Sequence, residues 1–415
     1  MKILLLSAYY PPKTMGGAEI STHLLAKGLI QNGNEVKVIT VGDIEERIQL
    51  DGVDIQRIKI SLKAKPLFEK KHSKKCAAIL NKYTQEFKEA DIIHANDFRS
   101  VLALMEWKNK QQETPPIIAT IRDYAQISGS TNFINHEGEL PADSYEDARQ
   151  SHRIKEAGKV RRIFRWWQYR YNINYRKKAF KKLDGHIYIS KAQLELTQKH
   201  QDLKEVNQTV IFNPIDDSYI EEKLQRGNDG AVLYVGRIEN YKGVGMLLDA
   251  WQKITKDIPQ AHLKIIGAGV DKKKYEKIIA STGMNYKVSI EPSVPWNRLR
   301  RIYDEAQIVV APHIWYEPFG RTVIEAMSRG KIVVSANAGG PAELIKDNET
   351  GILFERKSTD SLVKALTKAM NMDDINKRNI GRNASHWVRD NLNKTNIATK
   401  YEDFYTTTID KSTKK

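Results

Sequence analysis

The chain has one cysteine, Cys76, in 415 residues, which excludes an internal disulfide framework and any thiolate-cluster metal site and fits a reducing, cytoplasmic setting. No apolar run approaches the roughly 20 residues that cross a bilayer. The opening apolar stretch, residues 1–6, stops at Tyr9-Tyr10-Pro11-Pro12, too soon for a signal-peptide core, and reads as a buried first strand. Internal repeats and low-complexity tracts are missing, as are a Walker-type G-x-x-x-x-G-K-[ST] run, an H-E-x-x-H and any D-x-D triplet. Acid is in deficit: 67 Lys and Arg face 51 Asp and Glu, a net charge of +16. Such an excess suits anionic partners: phosphates, nucleotides, acidic lipids or nucleic acid. With 40% apolar and 28% charged residues the chain is expected to fold, and its length favours two large domains or three small ones.

What is present is an alternation. Short Ile/Val-rich runs at 3–7, 36–41, 55–60, 92–95, 117–121 and 185–190 predict strands, with a helix over about 18–32 and a stop at Gly33. A second series begins near Ala231, with strands at 232–235, 263–266, 288–291, 308–311 and 332–336 and helices over 245–254, 275–281 and 298–305. Continuous apolar strands separated by helices mark parallel sheets covered on both faces. Two such series predict an α/β protein of two doubly wound, Rossmann-like domains, divided near Asn213-Pro214. Ligands in such sheets bind outside the carboxyl ends of the strands, so the expected site is the cleft between the domains.

The most informative stretch is Tyr316-Glu317-Pro318-Phe319-Gly320-Arg321-Thr322-Val323-Ile324-Glu325-Ala326. Pro318 cannot sit inside a helix, whereas 321–329 can form one, so Glu317 lies on the strand-to-helix loop and Glu325 about one turn inside the helix. Gly320 stands at the helix entrance, where backbone N–H groups and the positive dipole end attract an anion. A ligand with two polyhydroxyl ends flanking a diphosphate would suit this spacing.

These residues resemble the E-x7-E signature of retaining glycosyltransferases of the GT-B fold, in particular the GT4 family, and the resemblance covers nearly the whole chain. It implies a GT-B architecture: residues 1–213 for the acceptor, with a basic aromatic insertion over about 130–182; 214–392 for the nucleotide-sugar donor; 393–415 a helix crossing back to the first domain, with a basic tail. Within it, Val235-Gly236-Arg237 and Tyr241-Lys242-Gly243 look like the donor diphosphate contacts, with Arg237 and Lys242 as the cations. Gly267 and Gly269 resemble the turn beside the nucleotide, and Ser293-Val294 the segment that meets the base. The resemblance implies that Glu317 contacts the donor sugar, that Glu325 binds the ribose, that the Phe319-Gly320 backbone, with Arg321 next to it, lines the sugar and phosphate, and that Gly16-Gly17 is a flexible loop facing the cleft. Gly339-Gly340-Pro341 with Glu343 reads either as part of the base pocket or as a plain turn. Arg, Lys and a helix dipole can stabilise a departing nucleoside diphosphate, so neither metal nor cofactor is expected.

The resemblance thins in the first domain. Where the family commonly has a His after the fourth strand, this chain has Arg122, which cannot serve as a neutral acceptor or proton shuttle. Arg122 would bind a carboxylate on a uronic-acid donor or a phosphate on the acceptor, or pair internally with Asp123. His94 reads as a cleft residue or a hydrogen-bonded core histidine, and Asp123 as a candidate base for the acceptor hydroxyl. The mechanism implied is front-face displacement, in which the leaving phosphate takes that proton.

Residues 151–182 set Arg161, Arg162, Arg165 and Arg170 among Phe164, Trp166, Trp167, Tyr169, Tyr171 and Tyr175. Basic aromatic helices lie on anionic bilayers, where each nearby cation adds about 1 kcal/mol. This segment, with the Lys-rich run 63–75, predicts a peripheral protein on the inner membrane face. Its acceptor would be a glycan or a lipid-linked sugar, as in cell-surface polysaccharide or glycolipid synthesis. Two other readings stand beside this one. A basic nucleic-acid-binding protein would also carry such a stretch, yet no recognition module is present and clustered acids would repel phosphates. A nucleotide-sugar epimerase of the same fold would share the donor site.

Overall fold

A computed structural model of the chain describes residues 1–12, 16–60, 69–128, 159–220 and 230–414, without the side chains of 159–162 and 165. The chain forms two compact units, Met1–Pro214 with Lys394–Lys415, and Ile215–Asn393. Among the described residues no helix is long and apolar enough to cross a membrane.

Among the described residues the first unit is built on eight strands: β1 (Lys2–Ser7), β2 (Glu35–Gly42), β3 (Glu46–Leu50), β4 (Val53–Lys59), β5 (Ile92–Ala95), β6 (Ile117–Ile121), β7 (Gly185–Tyr188) and β8 (Asn207–Val210). They lie in the order β3-β4-β2-β1-β5-β6-β7-β8. All pairs are parallel except β3–β4. In β1 Ile3, Leu4, Leu5 and Leu6 are at most 4% exposed. Burying both faces of a strand, at roughly 1.5–3 kcal/mol per large aliphatic, is what a central position offers. Helices α1 (Gly17–Gln31), α2 (Glu69–Leu80), α3 (Thr84–Glu89), α4 (Phe98–Lys108), α5 (Lys159–Phe180) and α6 (Lys191–His200) accompany these strands. Part of the Lys-rich run is thus helical: Ser73, Cys76, Ala77 and Leu80 of α2 point inward while its lysines face out.

The second unit carries β9 (Ala231–Val235), β10 (His262–Ile266), β11 (Val288–Glu291), β12 (Ile308–Ala311), β13 (Ile332–Ala336) and β14 (Ile352–Phe354), all parallel, in the order β11-β10-β9-β12-β13-β14. Its helices are α7 (Val244–Asp257), α8 (Lys272–Ser281), α9 (Trp296–Glu305), α10 (Arg321–Ser328), α11 (Gly340–Leu344), α12 (Thr359–Asn371) and α13 (Asp374–Leu392). The last helix, α14 (Lys394–Thr413), returns to the first unit and packs along α1. Gly28 makes that approach possible, since a Cβ there would run into the Lys394 carbonyl. Tyr405 of α14 reaches the first sheet, where its hydroxyl meets His94 Nδ1 at 2.8 Å.

Candidate active site

In the second sheet β9 pairs with β10 on one side and β12 on the other, so the chain reverses its direction of winding between β9 and β12. Such a reversal point, outside the carboxyl ends of the strands, is where open α/β sheets bind ligands. The β9 loop carries Gly236, Arg237 and a short helical turn, Asn240–Lys242. The β12 loop carries His313, Trp315, Glu317 and Gly320. The loops are pressed together at Gly243, whose φ of +79° and contact with the Pro312 carbonyl leave no room for a side chain. Ile314 N donates to Tyr241 O at 3.0 Å across the same seam.

This seam brings Lys242 onto Glu317 as an ion pair. Trp315 Nε1 donates to the same carboxylate oxygen at 3.0 Å, and the ammonium lies 5.0 Å from the Trp315 ring centre. Trp315 in turn meets Tyr241 edge-on, with ring centres 5.2 Å apart. Burial alone would push the Glu317 carboxyl up, but its surroundings, Lys242 foremost, outweigh it and hold it below its ordinary value. Beneath, burial pushes His313 down to about 4, so it stays neutral. Arg237 sits at the rim with its side chain 55% exposed, 3.6 Å from Glu239 and over the Tyr241 ring. One carboxylate held ionised beside an ammonium and an open guanidinium can grip a hydroxyl and a phosphate together.

Gly320, at φ +96°, caps α10 without a side-chain hydrogen bond. Phe319 is buried beside it. Gly267 and Gly269 fit against the carbonyls of Gly236 and Ile238, which locks the turn after β10 onto the β9 loop. The Gly339-Gly340 turn packs in the same way against the backbone of Glu317 and Pro318, and Gly340 N donates to Glu317 O at 2.8 Å. That turn therefore buttresses the Glu317 loop.

Glu325 is only 2% exposed at its side chain. Its Oε1 takes Trp296 Nε1 at 3.2 Å and faces Arg321 Nε at 2.9 Å, and its Oε2 takes the Tyr303 hydroxyl at 3.0 Å. Burial pushes its carboxyl up against the opposing pull of Arg321. Trp296 stacks on Tyr219 at 5.7 Å and lies half-buried two residues past Val294, which is itself half-buried. Trp296, Tyr303, Trp315 and His313 are site neighbours that sequence reasoning missed. Only Trp315, adjacent to the motif, carried a local signal.

In the first unit the corresponding reversal lies between β1 and β5. Gly16 caps α1 and, with Gly17, is exposed; residues 13–15 of that loop lie outside the described residues. Arg122 donates to Asn213 Oδ1 at 2.5 Å and to Asn96 Oδ1 at 3.2 Å. Asp123 instead accepts from Ala125 N at 2.8 Å, and burial pushes its carboxyl up to about 6. His94 is fully buried, with Nδ1 on Tyr405 and Nε2 on Thr120, both at 2.8 Å, which is the core placement of the two readings. Burial lowers it to about 3, so it is neutral.

Of the basic insertion, 130–158 and the side chains of Arg161, Arg162 and Arg165 lie outside the described residues, as do Lys63 and Lys65. On α5, Ile163, Phe164, Trp167 and Tyr171 are exposed, Trp167 by 64%, and Arg170 stacks over Trp166 at 5.2 Å.

Comparison with known proteins adds the following. The family model described as glycosyl transferases group 1 matches residues 216–387, and that described as glycosyltransferase family 4 matches residues 15–219. An uncharacterised glycosyltransferase of Methanocaldococcus jannaschii is 28% identical over 390 residues, covering 89% of each chain. Among solved structures, sucrose-phosphate synthase from Thermosynechococcus elongatus superposes with a TM-score of 0.73 at 19% identity, covering 98% of both chains. Anabaena HepE in complex with UDP-glucose gives a TM-score of 0.70 at 18% identity, covering 98% of this chain and 100% of that one. With the two family models meeting at the junction of the two units, the chain belongs to the GT4-type glycosyltransferases of the GT-B fold.

Proposed function

We propose that this glycosyltransferase moves a sugar from a nucleoside diphosphate donor, with retention of configuration and without a metal, to a glycan or lipid-linked acceptor at the inner membrane face. The observation that carries this reading is the Lys242–Glu317 pair beside Arg237, on the two loops that leave the switch point of the second sheet. UDP-glucose is the ligand of the Anabaena protein of like fold, and it has the parts these residues suit. Arg237 and Lys242 take the diphosphate, Glu317 the sugar hydroxyls and Glu325 the ribose.

In the transfer, the bond from the anomeric carbon to the diphosphate oxygen breaks and its electron pair leaves with the diphosphate. The acceptor hydroxyl forms the new bond on the same face. Its proton passes to the departing phosphate or to Asp123. The two cations stabilise the charge that develops. Arg122, just past the end of β6, is the cation for an acidic group on the donor sugar or on the acceptor. The exposed face of α5 rests on anionic lipid.

The test is product analysis with a panel of nucleotide sugars, reading the anomeric configuration by NMR. A retained anomer is expected, at a rate that a chelator does not change; an inverted one overturns the mechanism, and a free epimerised nucleotide sugar would mark an epimerase. Glu317→Ala should lower turnover by about 100-fold while leaving UDP affinity near that of the wild type, whereas Glu325→Ala should weaken UDP. Equal loss of nucleotide affinity in both variants contradicts these roles.

A further inference from the structure

Helix α5 presents two unlike features on one face. Its inner side packs through Ile173, Arg176, Ala179 and Phe180. Its outer side runs Ile163, Trp167, Tyr171, Asn174, Lys178 and Lys181, at helical steps of three and four residues, with Lys181 on the turn that continues the helix. The first half of that stripe is exposed apolar and aromatic surface. The second half opens into a cavity of about 300 Å³ lined by Asn174, Lys177, Lys178, Lys181, His200, Gln201 and Asp202, where α5 meets the end of α6.

The cavity has a defined chemistry. Three lysines and one acid, Asp202, line it, a balance of charge that favours an anion. Lys177 is fixed by the His200 carbonyl at 3.0 Å, and Gln201 Nε2 returns a bond to Lys177 O at 2.9 Å, so the walls are tied together. Lys178 and Lys181 are exposed at the mouth. Gln201 is 5% exposed, and among the described residues its Oε1 accepts no hydrogen bond. That oxygen has almost no accessible surface, so the acceptors an occupant meets are those of Asn174 and Asp202, both exposed at the lining and suited to an O–H donor. An occupant with a single negative charge and a hydroxyl group meets both demands.

We infer that this cavity seats the headgroup of an anionic phospholipid, a phosphodiester bearing hydroxyls, while Ile163, Trp167 and Tyr171 enter the same leaflet. From Trp167 to Lys178 the helix rises about 16 Å, so a helix lying in the interface brings both halves of the stripe to one surface. The inference rests on the membrane-docking part of the proposed function and adds the site and headgroup class to it.

The experiment is sedimentation of the full chain with phosphatidylcholine vesicles containing equal mole fractions of either phosphatidylglycerol or dicetyl phosphate, which has the charge but no headgroup. Phosphatidylglycerol should bind several-fold tighter. Lys178→Ala/Lys181→Ala should weaken that binding by about 30-fold, from two cations near a charged surface. The charge-keeping pair Lys178→Arg/Lys181→Arg should retain it. Lys273→Ala/Lys277→Ala, which removes equal charge from the exposed side of α8, should change it less than twofold. Equal weakening by both alanine pairs, wild-type binding by the first, or no preference between the two lipids overturns the headgroup site and leaves docking standing. No binding of the wild type to either anionic vesicle removes docking as well, while glycosyl transfer is judged separately by its product.

Discussion

At the residue scale, the ribose contact proposed for Glu325 requires an exchange of partners. Its oxygens already hold Trp296, Tyr303 and Arg321, so a ribose hydroxyl reaches it only by taking the place of one of them. Tyr303 is fully buried and Arg321 is charged; Trp296, half-buried at the start of α9, is the partner that yields. Trp296→Phe keeps the ring and removes the competing N–H, so UDP should bind about threefold to tenfold tighter by calorimetry. Unchanged or weaker binding would show that the indole does not compete. Asp123 gives a pH signature. Its carboxyl rises on folding from 3.8 to about 6, so the native state favours the protonated form. Below 3.8 its burial costs nothing, and the penalty grows as pH climbs to about 6 and then stays. Asp123→Asn should therefore raise Tm at about pH 8 and leave it unchanged at about pH 3. If Asp123 also takes the acceptor proton, kcat/KM rises with pH through about 6 in the wild type only. Full turnover of the variant at saturating substrate would remove it as the base.

Among elements, the seam between the β9 and β12 loops sets the position of Lys242. Gly243→Ala would place a methyl in the Pro312 carbonyl at a backbone angle that L residues avoid. A loss of roughly 1–3 kcal/mol in stability is expected, together with weaker UDP binding; loss of stability with full affinity would separate the seam from the site. The carboxylates and cations of this site were legible because strand, loop and helix entrance follow one another locally. Trp296 and Tyr303 come to Glu325 from 29 and 22 residues away, through tertiary packing that one sequence does not display. The strands that escaped notice share a cause. In β3, Glu46 to Leu50 alternate half-buried and exposed along a sheet edge, β8 is polar and half-buried throughout, and β14 is three residues long. None presents the continuous apolar run that marks a central strand. Helix α2 was hidden differently, its lysines masking the inward spacing of residues 73, 76, 77 and 80.

For the whole molecule, the last helix ties the end of the chain to its beginning. Glu402 receives Asn32 at 3.1 Å and also Asn34, and Tyr405 holds His94. Gly28→Val would force α14 off α1 and should lower the stability of the first unit by about 1–3 kcal/mol. UDP affinity, which the proposed function assigns to the second unit, should stay within twofold; an equal loss there would mean that the two units unfold as one. The second unit leaves and rejoins the first at nearly one point. Ile215 bridges Asn393, and Ile215 N donates to Leu392 O at 2.9 Å. Topologically it is a cassette with its two ends buttoned together. Residues 215–393 are thus suited to being cut out as a free-standing unit and tried alone for nucleotide binding, and the vacated junction to being sutured by a short splice from Pro214 to Lys394. Donor choice could then be exchanged between relatives by grafting, with the acceptor-side scaffold left as it is.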